Sequence, residues 1–286
     1  MFERYKNNNK AFLNYLKNEF DIEEVEDITT NHIKSYLMNL KNKGLTELYI
    51  NNIHKYMRSF FRFLVEEGYV AEKRNPILSV KFMKEPKVII KTFDDNGINR
   101  MIDVYKPNTY LGIRNKLIIM CFVDLGIRNL ELCSLTHLNI LDTTIKVVGK
   151  GTKGRYLYVS PLLKKYMIRY ERIKREYFKD KIMTDSNYFL SRNGKVLTTG
   201  AIEIIIKNAG EKAKARKNIR CSPHTIRHYY AQKQLRLGLD VYSLSRLLGH
   251  ESIVITSRYL QSLNDENIVN LASSTSPLMN IGRNQK

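Results

Sequence analysis

Four short segments carry residue types that together suit chemistry on a phosphate. In Gly126-Ile127-Arg128-Asn129-Leu130-Glu131-Leu132 an arginine follows a glycine break and opens an amphipathic helix. Its planar guanidinium can lie on a phosphate close to the positive end of a helix. The plainer reading is a structural arginine paired with Glu131 at i+3. Residues 149–155 read GKGTKGR. A nucleotide-cradling loop needs G-x-x-x-x-G-K-[ST] followed by a helix, and here strands flank the segment instead. A β-hairpin tip carrying Lys150, Lys153 and Arg155 suits a DNA backbone. In His224-Thr225-Ile226-Arg227-His228 the first histidine and the arginine are three apart and share a helix face. Two histidines at i and i+4 also suit zinc, but that motif needs a Glu beside the first histidine and Thr225 stands there. Leu247-Leu248-Gly249-His250 is followed nine residues later by Tyr259. With 18 tyrosines in the chain, Tyr259 is set apart only by the company it keeps in this order.

The elements that must position these residues are mostly helices. Apolar spacing predicts helices over 9–19, from a Thr29 or Thr30 cap to about Lys43, and over 46–67, with glycines just past the last two. Residues 81–93 have no helical period and contain Pro86, which places an inter-domain linker at 83–92. The domain in front is then 1–82 and the domain behind is 93–286. In the latter, helices are expected near 94–105, 109–125, 128–135, 161–178, 199–214, 223–237, 240–248 and 264–271. Two short strands, Thr144–Val148 and Tyr156–Val159, flank the Gly-rich turn. The fold class is mostly α with a small antiparallel β-sheet.

Composition narrows the partner. The 286 residues include 48 Lys+Arg against 28 Asp+Glu, a formal charge of +20, and such an excess favours a polyanion, nucleic acid first. Residues 1–90 contribute 15 basic and 12 acidic residues, a net +3, so the remaining 33 and 16 put +17 behind the linker. Three cysteines without paired spacing argue against a disulfide framework or a zinc ribbon. The start MFERYKNNNK lacks the apolar core of a signal peptide, and the longest apolar run, Leu117 to Val123, is too short to span a bilayer. No membrane role and a cytoplasmic location are expected.

Taken in order, the four segments resemble the tyrosine recombinase (phage integrase) family. GIRNLEL is similar to its G-L-R-x-x-E-L, GKGTKGR to its G-K-G-x-K-x-R hairpin and HTIRH to its H-x-L-R-H. The nine-residue step from the LLGH histidine to Tyr259 is intact. Thr225 stands where Asp is common, and Ile127 and Ile226 replace Leu, without loss of a catalytic residue type. The front part is similar to the family's helical, SAM-like core-binding domain, and the chain resembles its compact members, Xer recombinases and the integrases or resolvases of mobile elements. The resemblance implies two domains forming a clamp on double-stranded DNA at a recombination site, dimers on a site and a tetramer in synapsis, with strand exchange through a Holliday junction. It implies that Arg128, Arg227 and His250 bind the scissile phosphate, that Tyr259 attacks it to leave a 3′-phosphotyrosine, and that Lys150 protonates the leaving 5′-oxygen. His224 would help move the tyrosine proton and Glu131 would orient an arginine. Lys153 and Arg155 are expected to contact DNA. No cofactor, metal or ATP is implied. The segment after Tyr259, with Ile268, Val269 and Leu271 on a helix, is expected to exchange onto a neighbouring subunit. The rival readings are a type IB topoisomerase-like relaxing enzyme and a non-catalytic DNA-binding regulator.

Overall fold

The computed structural model describes residues 2–86, 90–149, 154–181, 183–215, 218–263 and 265–274. The chain divides into two units, Met1–Val88 and Ile89–Lys286. The first holds α1 (Phe2–Phe20), α2 (Thr30–Asn42) and α3 (Glu47–Glu66). Thr29 and Thr46 cap α2 and α3 by accepting from His32 and Tyr49 backbone N–H groups, the role short hydroxyl side chains fill at helix starts. One apolar stripe from each helix meets in a core that includes Phe12, Leu16, Ile33, Leu37, Ile50, Met57 and Phe61. Helix α1 begins about seven residues earlier than its apolar spacing predicts. The Asn-rich start has little helical preference, but Tyr5 lies 4.5 Å from the ring of Tyr56 and tertiary packing outweighs propensity.

The segment expected as a linker is tied at both shoulders. Asn51 on α3 accepts from the Met83 backbone N–H and donates to the Met83 carbonyl and to Glu85. In the second unit, Gln232 donates to the Ile90 carbonyl at 2.6 Å and Thr92 donates to the Thr225 carbonyl.

The second unit holds α4 (Asp95–Asp103), α5 (Tyr110–Leu125), α6 (Asn129–Cys133), β1 (Thr144–Val148), β2 (Gly154–Tyr158), α7 (Pro161–Phe178), α8 (Thr199–Ala213), α9 (Pro223–Arg236), α10 (Val241–Leu248), α11 (Ile253–Ser257) and α12 (Asp265–Ser274). From Leu117 to Val123 helix α5 is apolar all round, with Leu117, Ile118, Ile119 and Phe122 fully buried, and the helix packs against α4, α7, α8 and α9. The long apolar run is thus the spine of this core, the usual fate of a helix without a polar face. The two strands are antiparallel, pairing Thr144 with Tyr158 and Val148 with Gly154. Ile145, Val147 and Leu157 point into the core while Val148, Tyr156 and Tyr158 face out, as the two-residue period of a strand requires. Lys150 and Lys153 lie outside the described residues. Helix α11 is not expected from its β-branched sequence IVITS; a Ser252 cap and the fully buried Thr256 impose it. Among the described residues no helix is long and apolar enough to cross a membrane.

Candidate active site

The site is assembled where three helices end or begin. Helix α5 stops at Leu125 because Gly126 turns left-handed, with φ +56°. Any side chain there would be strained, and a Cβ would sit 2.3 Å from the Tyr230 ring. This break releases the Gly126 carbonyl, which accepts from Arg227 on α9 at 2.5 Å. Two residues on, Arg128 opens α6. Glu131 at the third position of that helix reaches back to the Arg128 backbone N–H at 2.9 Å and to its guanidinium at 2.9 Å.

The C-terminus of α10 holds three arginines at once. Gly249 closes this helix with φ +62°, leaving its last carbonyls without helical partners. Leu247 accepts from Arg155 at 2.6 Å, Leu248 from Arg227, and Gly249 from Arg128 at 2.5 Å. The negative end of a helix dipole favours this gathering of cations. Glycine is favoured at 249 on two counts: its φ is positive, and a Cβ would approach the Arg155 and Arg128 guanidinium groups to 3.0 and 3.2 Å. Arg155 also grips Glu131 with two parallel bonds of 2.8 Å. Burial alone would raise the Glu131 carboxyl, but bonds from Arg155 and from the Arg128 backbone and side chain bring it down to about 2. Arg227 is 4% exposed; burial and the neighbouring Arg128 lower it to about 10, so it stays charged at neutral pH.

The histidines complete the site. His250 faces Arg227 through Nε2 at 3.4 Å and Thr256 through Nδ1 at 2.7 Å. A guanidinium can only donate, so Nε2 accepts and Nδ1 carries the proton to Thr256. Burial, then Arg227, Arg128 and Arg155, hold His250 down to about 4. Helix α11 and the 3₁₀ turn Arg258–Ser262 return the chain to α9, where Tyr259 packs with Tyr230, Ala231, Leu235, Leu244 and Leu248 at 4% exposure. The Tyr259 hydroxyl lies 2.7 Å from His228 Nδ1. His224 meets the ring of His228 edge-on at 4.1 Å. Arg128, His224, Arg227, His228 and His250 all line one open cleft of about 610 Å³.

Five of the six residues expected to be catalytic are therefore gathered here; Lys150, the sixth, is outside the described residues. Arg155, expected as a DNA contact, is turned inward. Its side chain is 12% exposed, and its donors are engaged by Glu131 and Leu247. Sequence assigns His228 no role. It closes the HTIRH motif four residues after His224, and nothing in that spacing points at a tyrosine 31 residues away.

Residues 91–266 match the phage integrase family, and residues 2–68 match the phage integrase N-terminal SAM-like domain. The chain belongs to the phage integrase family. It is 32% identical to tyrosine recombinase XerC of Bacillus pumilus (strain SAFR-032) over 83% of this chain and 78% of the relative. The fold is similar to that of XerH recombinase in a post-cleavage complex with palindromic difH substrate, with a TM-score of 0.72 and 17% identity over 93% of this chain and 76% of the other. It is also similar to lambda integrase in a tetramer bound to a Holliday junction, with a TM-score of 0.65 and 18% identity over 90% and 70%.

In this member of the phage integrase family, Glu131 is the acidic pivot of the site. Glu131→Gln keeps the shape but removes the charge opposite Arg155, and breaking a buried pair from one side costs about 3–5 kcal/mol. The melting temperature at neutral pH should fall on the order of 10 °C, given about 2–4 °C per kcal/mol for a unit this size. A carboxyl held low in the folded state stabilises above its unfolded value and loses that contribution as pH falls from about 4.5 through about 2. The gap between wild type and variant should therefore be full at pH 7 and shrink as the buffer approaches pH 3. Equal melting temperatures at pH 7 would show that the arginines stay in place without Glu131.

Proposed function

We propose that this chain is a site-specific DNA recombinase, with Tyr259 as the nucleophile. The observation that carries the reading is the convergence of Arg128, Arg227 and His250 on one cleft beside a tyrosine whose hydroxyl is bonded to a cleft-lining histidine. The guanidinium groups of Arg128 and Arg227 are fixed by backbone carbonyls before any substrate arrives, so they meet the non-bridging oxygens of a scissile phosphate without reorganising. Fixed donors of this kind contribute about 10²–10³ each to the rate. A bound phosphate also offsets the positive charge that holds His250 neutral, which favours its protonation and donation from Nε2. The Tyr259 oxygen attacks phosphorus, a 3′-phosphotyrosine forms and the 5′-oxygen leaves with a proton from Lys150. The covalent link conserves the phosphodiester bond energy, so the reverse attack by a 5′-hydroxyl reseals a strand without ATP.

In this reading the first unit is a core-binding domain that helps hold duplex DNA, and the active assembly is a dimer on each site and a tetramer in synapsis. The protein acts on DNA in the cytoplasm. Helix α12 leaves Ile268 and Val269 52% and 65% exposed, while Leu271 lies over Gly238. The exposed pair is the apolar face offered to a neighbouring subunit.

A duplex nicked beside the cleavage point tests the chemistry, because the short released fragment diffuses away and the covalent adduct accumulates. Adduct formation followed by strand exchange between two copies of a cognate site is the expected result. Relaxation of supercoiled DNA without any exchange would assign the chain to a topoisomerase reaction, and binding without adduct would make it a regulator.

A further inference from the structure

We propose that His228 is the general base that takes the proton from Tyr259 as its oxygen attacks phosphorus. The inference rests on the reading of Tyr259 as the nucleophile. It reassigns the proton step, since the expectation from sequence put that role on His224.

The geometry favours His228. Its Nδ1 is 2.7 Å from the phenol oxygen, within reach for direct transfer. His224 contacts His228 instead, edge against ring with the centroids 4.1 Å apart. The base and its acid come from different parts of the fold: His228 from α9, Tyr259 from the 3₁₀ turn that follows α11. Tyr259 is buried and His228 half-buried, and His228 lines the cleft where a phosphate would bind. Burial, followed by His224, Arg227 and His250, holds His228 down to about 4, so in the resting site it is neutral and can accept. Burial raises the Tyr259 hydroxyl above its ordinary range, so the phenol keeps its proton until attack. An incoming phosphate offsets the cationic part of the effect on His228 and strengthens the base when it is needed. The step balances: the Tyr259 O–H bond breaks, its proton goes to His228 Nδ1, the oxygen's electron pair forms the new O–P bond, and the P–O5′ bond breaks with its own proton supplied to the leaving oxygen. On resealing the proton returns to Tyr259.

The test uses full-length protein, the nicked duplex and single-turnover adduct formation. Three side chains are compared at position 228: the native histidine, His228→Ala and His228→Asn, the last of which keeps a hydrogen-bonding amide near Nδ1 but cannot take up a proton. Each is made with tyrosine and with a ring-fluorinated, more acidic tyrosine at 259. With ordinary tyrosine both variants should be slower by about 10²–10⁴, the usual loss of a general base. With fluorotyrosine both should regain much of that loss, because a more acidic phenol needs less help. A His228→Asn protein at the native rate would mean that His228 only positions the phenol and would overturn the proposal. So would a full rate in both variants, or a defect in both that fluorination leaves unchanged. The native protein serves as the separate check on the underlying reading: an adduct mapped to a residue other than Tyr259 removes the nucleophile, and the base with it.

Discussion

Tyr259→Phe is expected to form no covalent adduct on the nicked duplex while binding the DNA site almost as the native protein does. The substitution removes one oxygen from a ring that is otherwise packed among Tyr230, Leu244 and Leu248. The hydroxyl's contact is with His228, and a neutral hydrogen bond contributes only about 0.5–1.5 kcal/mol to stability. The fold and the arginine cluster should therefore survive, and the loss will be chemical: no other atom of the phenylalanine ring can attack phosphorus. This change has the largest expected effect, a fall to the detection limit of the adduct assay. Adduct at the native yield would remove Tyr259 from the reaction, and a simultaneous collapse of DNA affinity would show that the variant has lost more than its nucleophile.

The second large effect separates Lys150 from Lys153 and Arg128. A 5′-alkoxide is a poor leaving group because its conjugate acid has a very high pKa, so a general acid is required. Lys150→Ala should slow cleavage of ordinary DNA by about 10²–10⁴. Replacing the bridging 5′-oxygen by sulfur changes the requirement, since a thiol has a pKa near about 8.5 and leaves without a proton. The Lys150→Ala protein should then recover on the sulfur-bridged duplex. Arg128→Ala should not recover, because charge on the non-bridging oxygens still needs the guanidinium that Gly249 and Glu131 hold in place. Lys153→Ala should lose affinity on both duplexes alike. Rescue of Lys153→Ala in place of Lys150→Ala would move the acid by three residues, and rescue of neither would take the proton donor off the hairpin.

The arginines separate what local sequence pattern holds from what it lacks. Arg128 and Arg227 stood out because each sits in a short motif beside a helix start, where local spacing predicts the face it shares with its neighbours. Arg155 lies in an equally basic motif, and its charge and hairpin position suggested a DNA contact. The structure turns it inward because Glu131, 24 residues away, and the Leu247 carbonyl, 92 residues away, form a better partner set than water. Local pattern carries no information about such distant acceptors. The same holds for the carbonyls of Leu247, Leu248 and Gly249. Their arrangement around three guanidinium groups follows from the left-handed turn at Gly249 and from the packing of α9 and α10, whereas sequence shows only a glycine where a helix can stop.

By itself, the sequence determined the helical periods, the caps and glycine stops, the antiparallel hairpin, the concentration of positive charge beyond residue 90, and the order of motifs that marks the family. These are properties of neighbours within a turn or two of chain, or sums over it. Only the tertiary structure decided that Arg155 anchors instead of reaching outward, that one helix end collects three arginines, and that His228 rather than His224 stands against Tyr259. Those outcomes depend on contacts between elements far apart in sequence, where burial makes each unpaired donor or acceptor costly and so selects one arrangement among the many that the local pattern allows.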